Sequence, residues 1–237
     1  MMKYLLVTLV LLSTLSCSRQ RCVDPTGERV IKTRKLDPAG EINLNLVASL
    51  HIEVDSDKTP QLEKIAQDAL QKVISVDETS GSLDFFLDGC TKEHLEIELN
   101  ATVPYVESIN NYSAGSISSK TIFSTDSISF LSDGLGDIDF SVDAKYISGN
   151  LRNSGNLILN GYTISADFTV VKSGDLHAYN LQAEDVVVNT TGISVIEVYA
   201  SRKLRVNFIK PGGQVKYRGY PEAILVTGVG KLIDDNL

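Results

Sequence analysis

The chain has 237 residues, of which 43% are hydrophobic, and its formal net charge is −8. This length and apolar content suffice for one or two domains with a buried core. The acidic charge excludes the basic excess that nucleic-acid binding needs, so we expect no nucleic-acid partner. Tryptophan is absent, and Val, Ile, Ser, Thr, Asn, Asp and Gly are abundant, which favours an all-β fold.

The amino terminus, residues 1–16, has the pattern of a lipoprotein signal peptide. Its apolar run, residues 4–12, is too short to span a bilayer and is typical of a secretion signal. Ser16 stands directly before Cys17, as in the lipobox of bacterial lipoproteins. We therefore predict acylation of Cys17, for example with palmitate, and anchoring to the outer membrane on its periplasmic or external face. A signal peptide cleaved without acylation is the alternative, because Thr14 replaces the usual Leu.

Residues 17–28 are polar and contain Pro25 and Gly27, so we predict a tether between the lipid and one domain at 29–237. The anchor makes the membrane the first expected partner. Basic residues cluster in and after the tether, where they either lie on anionic headgroups or are solvated. They are Arg19, Arg21, Arg29, Lys32, Arg34 and Lys35.

Two cysteines remain once Cys17 is assigned to lipid. The cell envelope permits disulfides, and we prefer a pairing of Cys22 with Cys90, although two cysteines alone do not decide the matter. No Cys-x-x-Cys motif occurs, so we expect no metal site and no cofactor. The histidines are scattered through the sequence: His51, His94 and His177.

One segment of the first half has a helical pattern. Thr59 precedes Pro60, which suits a capping residue followed by the first helical position. We predict a short N-terminal helix at about 60–70 that covers one end or side of the sheet. Apolar residues follow the cap at helical spacing: Leu62, Ile65, Ala66, Ala69, Leu70 and Val73.

The second half repeats itself about every 19 residues. One column of apolar residues advances in steps of 19, 19, 20 and 19: Ile138, Leu157, Leu176, Ile196 and Val215. A second column advances with it: Phe140, Leu159, Ala178, Val198 and Tyr217. A further strand contributes Ile147, Ala166, Val186 and Val206. A repeat this short cannot bury its own apolar face, so stacked repeats must share one core.

The constant period predicts a parallel β-helix, because each turn of such a coil repeats the path of the turn before it. An antiparallel sandwich is the alternative. We expect the glycines at the corners of the coil, where a positive φ costs least. The N-terminal region and its helix should cover one end, and residues 228–237 should finish the other.

Several motifs resemble those of a bacterial family described as putative auto-transporter adhesin, head GIN domain. They are Gly81-Ser82-Leu83 opening a strand, Val103-Pro104 ahead of the repeats, and the turns Ser154-Gly155-Asn156 and Ser173-Gly174-Asp175. The resemblance covers about residues 29–233. It implies a right-handed, single-stranded parallel β-helix in an adhesin-like protein of the cell envelope, and the family has no agreed catalytic residues.

Parallel β-helices also include polysaccharide lyases and hydrolases, so a carbohydrate-active enzyme is the alternative function. Such chemistry needs paired carboxylates at a set separation. Acidic residues at turns commonly support backbone and outward ones meet water, so we predict no catalysis. The segment 133–139 resembles a calcium repeat, but the period of about 19 does not fit the calcium nonapeptide, and we expect no calcium site. The carboxylate candidates are Asp137, Asp139, Asp143, Asp175 and Glu197.

Outward side chains of the repeats supply the candidate contacts for a ligand. Glu197 and Lys216 fall in one outward column and are predicted to pair, with His177 on the surface in the same column. An aromatic strip for sugar or protein would consist of Tyr179, Tyr199, Tyr217 and Tyr220, although Tyr217 falls in an inward column. We predict a non-catalytic envelope lipoprotein whose solenoid surface serves adhesion or scaffolding, with a protein or glycan ligand.

Overall fold

The computed structural model describes residues 22–92 and 96–236. These ranges are all-β, as predicted, with fifteen strands and one short 3-10 turn at Leu70–Lys72. The strands form one sheet that winds into a β-solenoid of about six turns. In chain order they are β1 (Arg29–Lys35), β2 (Glu41–Leu44), β3 (Ser49–Val54), β4 (Gln61–Gln67), β5 (Ile74–Thr79), β6 (Ser82–Leu87), β7 (Glu98–Val103), β8 (Ser108–Asn111), β9 (Ser116–Ser119), β10 (Phe123–Ser132), β11 (Ile138–Leu151), β12 (Leu157–Val170), β13 (Leu176–Thr190), β14 (Val195–Arg218) and β15 (Ala223–Asp234).

Stacks of inward side chains form the core of the solenoid, and two of them run through most of its turns. In the first, successive partners across parallel strands are Leu99, Leu50, Ile117, Ile138, Leu157, Leu176 and Ile196. In the second they are Leu83, Ile42, Ile109, Phe130, Gly149, Phe168, Val188, Val206 and Val226. Every member of the first stack is fully buried, and burying one such side chain contributes about 1.5–3 kcal/mol. The predicted parallel coil is confirmed, and the antiparallel sandwich is excluded.

One predicted column needs a correction at its last member. The column that contains Val186 continues to Leu204 and not to Val206, which instead pairs with Val188. The register between β13 and β14 shifts twice within residues 178–185. Such irregularities change the number of residues in a turn, so a constant period extended along the sequence misses the partner.

The predicted helix at 60–70 is wrong, because Gln61–Gln67 form β4. This strand pairs antiparallel with β1 on one side and with β7 on the other. Leu62 and Ala66 are fully buried, and a separation of four residues puts two side chains on one face of a strand as well as of a helix. The spacing therefore fits either structure, and strand pairing on both sides outweighs the local capping signal.

The first half of the chain builds one end of the solenoid. Strands β2 and β3 lie between β6 and β7 on one side and β8 and β9 on the other, and all these pairs are parallel. Beyond them, β5 pairs antiparallel with β6, β4 with β7, and β1 with β4. We call β1, β4 and β5 the N-terminal cap. The N-terminal region thus covers this end with strands instead of the predicted helix.

A disulfide fastens the beginning of the described chain to the loop after β6. It joins Cys22 and Cys90, whose Cα atoms lie 4.6 Å apart. The Val23 N–H donates to the Cys90 carbonyl (2.8 Å), and the Val23 carbonyl accepts from the Lys92 N–H (3.0 Å). Residues 22 and 23, within the predicted tether, are therefore held against the domain. The predicted signal peptide and Cys17 lie outside the described residues.

Gly212, in one of the repeat turns, has the predicted positive φ (106°), but three other corner glycines have a different role. Gly136, Gly155 and Gly174 lie in equivalent turns, and none of them has a positive φ. A Cβ on Gly136 would lie 1.8 Å from the carbonyl oxygen of Gly115, and a Cβ on Gly155 would lie 2.3 Å from that of Gly136. Glycine is required at these corners because the backbones of successive turns approach closely.

Within residues 22–92 and 96–236, the far end of the solenoid is open. Residues 228–237 were expected to close it, but Ala223–Asp234 form β15, which continues the coil. Among the described residues, β15 pairs with β14 on one edge and with no strand on the other. Side chains of β15 that belong to the core stacks therefore remain exposed.

Candidate binding surfaces

The acidic and amide side chains of the repeated turns bond to the backbone of the next turn. Asp137 Oδ1 accepts the N–H of Asn156 (3.0 Å), and Asn156 Oδ1 accepts the N–H of Asp175 (2.9 Å). Asp175 Oδ1 in turn accepts the N–H of Val195 (2.8 Å). The Asp and Asn residues that follow the corner glycines thus hold successive turns in register, and two of the candidate carboxylates serve this purpose.

The remaining candidate carboxylates do not form a catalytic pair. Asp143 Oδ1 accepts the N–H of Tyr162 (3.0 Å), so it also supports the next turn. Asp139 is exposed and occupies the same outward column as Glu197, three turns away. At about 4.8 Å per strand, that separation is roughly 14 Å. The carboxylates of glycosidases lie about 5–9.5 Å apart, so this arrangement does not suit them.

Two substitutions of Asp175 distinguish its role as a hydrogen-bond acceptor from the effect of its negative charge. We expect Asp175→Ala to lower the free energy of unfolding by about 1–3 kcal/mol, because the Val195 N–H loses its acceptor. Asp175→Asn should stay within about 0.5 kcal/mol of the wild type, since Asn156 makes the same bond one turn earlier. Urea unfolding of the two variants measures the difference. Equal stability of both variants would contradict this role.

A lateral groove of about 450 Å³ follows one corner of the solenoid near the N-terminal cap. Leu135, 63% exposed, and Val47 supply exposed apolar side chains from different turns. Glu96 and Asp137 contribute carboxyl groups, and Gly115 lies between the turns. We call it the corner groove, and its described lining is Val47, Ala48, Ser49, Glu96, Ile97, Ala114, Gly115, Ser116, Leu135, Gly136 and Asp137.

The predicted surface pair of Glu197 and Lys216 exists and includes His177. Lys216 Nζ lies 3.8 Å from Glu197 Oε1, and His177 Nδ1 lies 2.8 Å from Glu197 Oε2. All three side chains lie on the outer face of the last turns and keep some exposure to solvent. Exposed ion pairs contribute at most about 1 kcal/mol, so the trio shapes the surface more than it stabilises the fold.

Tyr179 lies in a second polar group on the same outer face. The Arg218 guanidinium lies 4.2 Å from the centre of its ring, and its hydroxyl donates to Asp235 Oδ2 (2.9 Å). Burial, with the Asp235 carboxylate beside it, raises the pKa of Tyr179, so the ring stays neutral near pH 7. The hydrogen bond from Tyr179, aided by Arg218, lowers the pKa of Asp235. This group presents an aromatic ring together with a cation and an anion.

One member of the predicted aromatic strip lies in the core instead of on the surface. Tyr217 is buried in the core, as its inward column indicated, and its hydroxyl donates to Asp234 (3.1 Å). Tyr220 is highly exposed, and Tyr199 is half-buried. The contacts of Tyr179 depend on Arg218 and Asp235, which lie in or after the last two strands and outside the columns used for prediction.

The histidines and the segment 133–139 show no metal-binding arrangement in the described ranges. His51 Nδ1 lies 2.8 Å from Ser118 Oγ, and His177 faces Glu197. Within residues 22–92 and 96–236, no group of three or more His, Cys, Asp or Glu side chains could hold a metal ion. His94 lies outside these ranges. No helix of the described chain is long and apolar enough to cross a membrane.

The parallel coil, the cap of antiparallel strands and the stacked Asp and Asn turns define a β-solenoid domain. The family model of the putative auto-transporter adhesin, head GIN domain, matches residues 42–221. The chain belongs to this family, which confirms the resemblance seen in its sequence.

Solved structures share this fold over almost the whole chain. A putative adhesin from Bacteroides fragilis NCTC 9343 has a TM-score of 0.81 and 20% identity, covering 91% of this chain and all of that one. A putative lipid binding protein from Parabacteroides distasonis ATCC 8503 has a TM-score of 0.70 and 20% identity, covering 90% and 100%. A putative adhesin from Parabacteroides merdae ATCC 43184 has a TM-score of 0.64 and 15% identity, covering 90% and 99%. At these identities the likeness concerns the fold. No curated protein matches the chain.

Proposed function

We propose that the protein is a non-catalytic envelope lipoprotein whose solenoid binds a protein or glycan ligand in the corner groove. The groove carries this proposal, because it combines exposed apolar side chains with carboxylates and backbone groups on a rigid stack of turns. Its volume falls in the range of about 300–1,000 Å³ that ligand sites have. Family membership and the names of the structural neighbours favour adhesion over catalysis.

The carbohydrate-active enzyme is not favoured by the geometry of the carboxylates. Asp137, Asp143 and Asp175 accept backbone N–H groups of the next turn, and Glu197 faces His177 and Lys216. The groups needed for glycoside cleavage are therefore committed to other contacts.

The proposed anchor fits the position of the N-terminal segment. Cys17 precedes Cys22 by five positions, so a lipid on Cys17 would lie within about 20 Å of the disulfide. The basic side chains of β1 contribute less to membrane binding than the sequence indicated, because Arg29, Lys32 and Arg34 face carboxylates of the domain. Lipid would then supply most of the affinity. Palmitate labelling that disappears in Cys17→Ser would support the anchor, and labelling that persists would contradict it.

Handedness of the coil is a further part of the proposal. Parallel strands joined within one sheet take right-handed connections in about 98% of cases. We infer the same hand for the turns from β10 to β15, as the family resemblance implies.

A pair of variants at equivalent corners tests the groove. Leu135 lines it, whereas Ile193 occupies the corresponding corner position three turns later, is 84% exposed, and lies outside the lining. The chain with Cys17→Ser is applied to glycan and matrix-protein arrays. We expect Leu135→Ala to weaken binding of the captured ligand by about tenfold or more, the scale on which interface anchors act. Ile193→Ala should bind as the parent does.

Three outcomes of the array experiment would contradict the proposal. They are equal loss in both variants, no loss in Leu135→Ala, and turnover of a captured polysaccharide. Turnover is followed as release of reducing or unsaturated ends from the same polysaccharides. Circular dichroism of both variants shows whether the fold is retained, so that loss of binding is assigned to the groove itself.

A further inference from the structure

The open end of the solenoid exposes side chains that are buried everywhere else in their stacks. Val226 ends the second core stack and is 43% exposed, whereas Val206 beneath it is fully buried. Ile224 is 44% exposed above the buried Leu204. Leu225 and Val229 add exposed apolar surface on the same strand. Core side chains and an unpaired backbone edge thus lie together at this end of the described chain.

The two ends of the solenoid differ in how their edges are protected. At the N-terminal cap, the edge strands β1 and β5 are short and carry charged residues, which discourages edge-to-edge pairing. By contrast, residues 223–230 of β15 contain no charged residue. The uncharged edge of β15 is therefore poorly suited to pair with the charged edges of the cap in a second copy. It is better suited to pair with the uncharged edge of another β15.

We propose that two copies of this chain associate through their C-terminal ends, with residues 223–227 of β15 pairing antiparallel about a two-fold axis. An axis through Leu225 would place Leu225 opposite its own copy. Ile224 would then lie opposite Val226 on the inner side, and Ala223 opposite Thr227 on the outer side. Antiparallel partners share a face of the sheet, so this register joins inner residues to inner residues. No charged side chain faces another across the pair.

The size of the contact sets its expected strength. A coil of about 19 residues has a perimeter near 60 Å and encloses at most about 300 Å². Even with the flanking side chains, this falls below the roughly 800 Å² per partner of a standard stable interface. The dimer should therefore exchange with monomer and gain population with concentration.

An end-to-end dimer would contribute to adhesion through the positions of its two lipid anchors, a step that rests on the proposed anchor. In an end-to-end dimer the two N-terminal caps lie at opposite ends, so the two lipids would lie in different membranes. The association would then be a contact between two cells or two membranes that both carry this protein. The pairing of the solenoid ends does not itself depend on the lipid, so the two ideas fail separately.

The test follows the oligomeric state of the chain with Cys17→Ser by analytical ultracentrifugation, up to about 300 μM, as a weak interface requires. We expect the weight-average mass to rise toward that of a dimer. Leu225→Lys should abolish the rise, because two lysines would face each other across the axis. Ile31→Lys, the same kind of change on an exposed residue of the cap, should leave the rise unchanged.

A second variant tests the register. Leu225→Cys should form an intermolecular disulfide with its own copy under mild oxidation, since directly opposite residues lie about 4.5–5.5 Å apart. Ile31→Cys should not. A chain that stays monomeric overturns the proposal, as does a dimer that survives Leu225→Lys. Loss of the dimer in Ile31→Lys, or cross-linking through Cys at position 31, would place the contact elsewhere and also overturn it.

Discussion

Gly136→Ala is expected to destabilise the solenoid by about 3 kcal/mol or more, at the upper end of overpacking effects. A Cβ at this position would lie 1.8 Å from the carbonyl oxygen of Gly115, and its other near neighbours are also backbone atoms. A flexible side chain could move away from such a contact, but backbone in a stacked turn cannot. Relief requires separating two turns, which disturbs the strand pairs on both sides of the corner.

The control for this prediction is Leu135→Ala in the same turn. Leu135 is mostly exposed, so its truncation should change the free energy of unfolding by less than about 0.5 kcal/mol. Urea unfolding of both variants gives the comparison. If Gly136→Ala were as stable as Leu135→Ala, the corners would tolerate a Cβ, and close approach of the turns would not explain the glycines.

The sequence predicts the stacking of turns that follow one another directly in the chain. Residues one turn apart become neighbours, so Ile138, Leu157 and Leu176 repeat in the sequence because they stack in space. The same reasoning fails for β6 and β7, which follow β2 and β3 in the chain but lie beneath them. No period connects strands that are stacked out of order, so this end of the solenoid leaves no repeat to detect.

The corner groove could not be predicted from the repeat either. It is built from turns that are distant in sequence, around Val47, Ala114 and Leu135. The one local signal is an apolar residue inside the polar turn Asp133–Asp137, where solvent exposure would otherwise favour a polar side chain. By contrast, the structural use of Asp175 follows from its turn, because the repeated Gly-Asp or Gly-Asn pair marks a position that contacts its own equivalent in the next coil.

The double variant Cys22→Ser, Cys90→Ser is expected to lose about 4 kcal/mol of stability, because the disulfide closes a long loop in the unfolded chain. The cysteines are 68 residues apart in sequence, and the loop between them contains β1 to β6. These strands include the N-terminal cap, whose order along the coil differs from its order in the chain. Without the disulfide, the unfolded form of this segment gains conformational entropy. The loss of stability should therefore be largest at the N-terminal end of the solenoid.

Urea unfolding in a Cys17→Ser background measures the total loss, and hydrogen exchange locates it. We expect faster exchange in β1, β4 and β5, with the amides of β11 to β13 changed much less, since the first and second core stacks continue above the cap. A thiol titration of the native parent should find no free Cys22 or Cys90. Free thiols there, or a variant as stable as its parent, would show that the cap holds without this link. Uniform loss of protection along the whole coil would instead mean that the cap and the coil unfold as one unit.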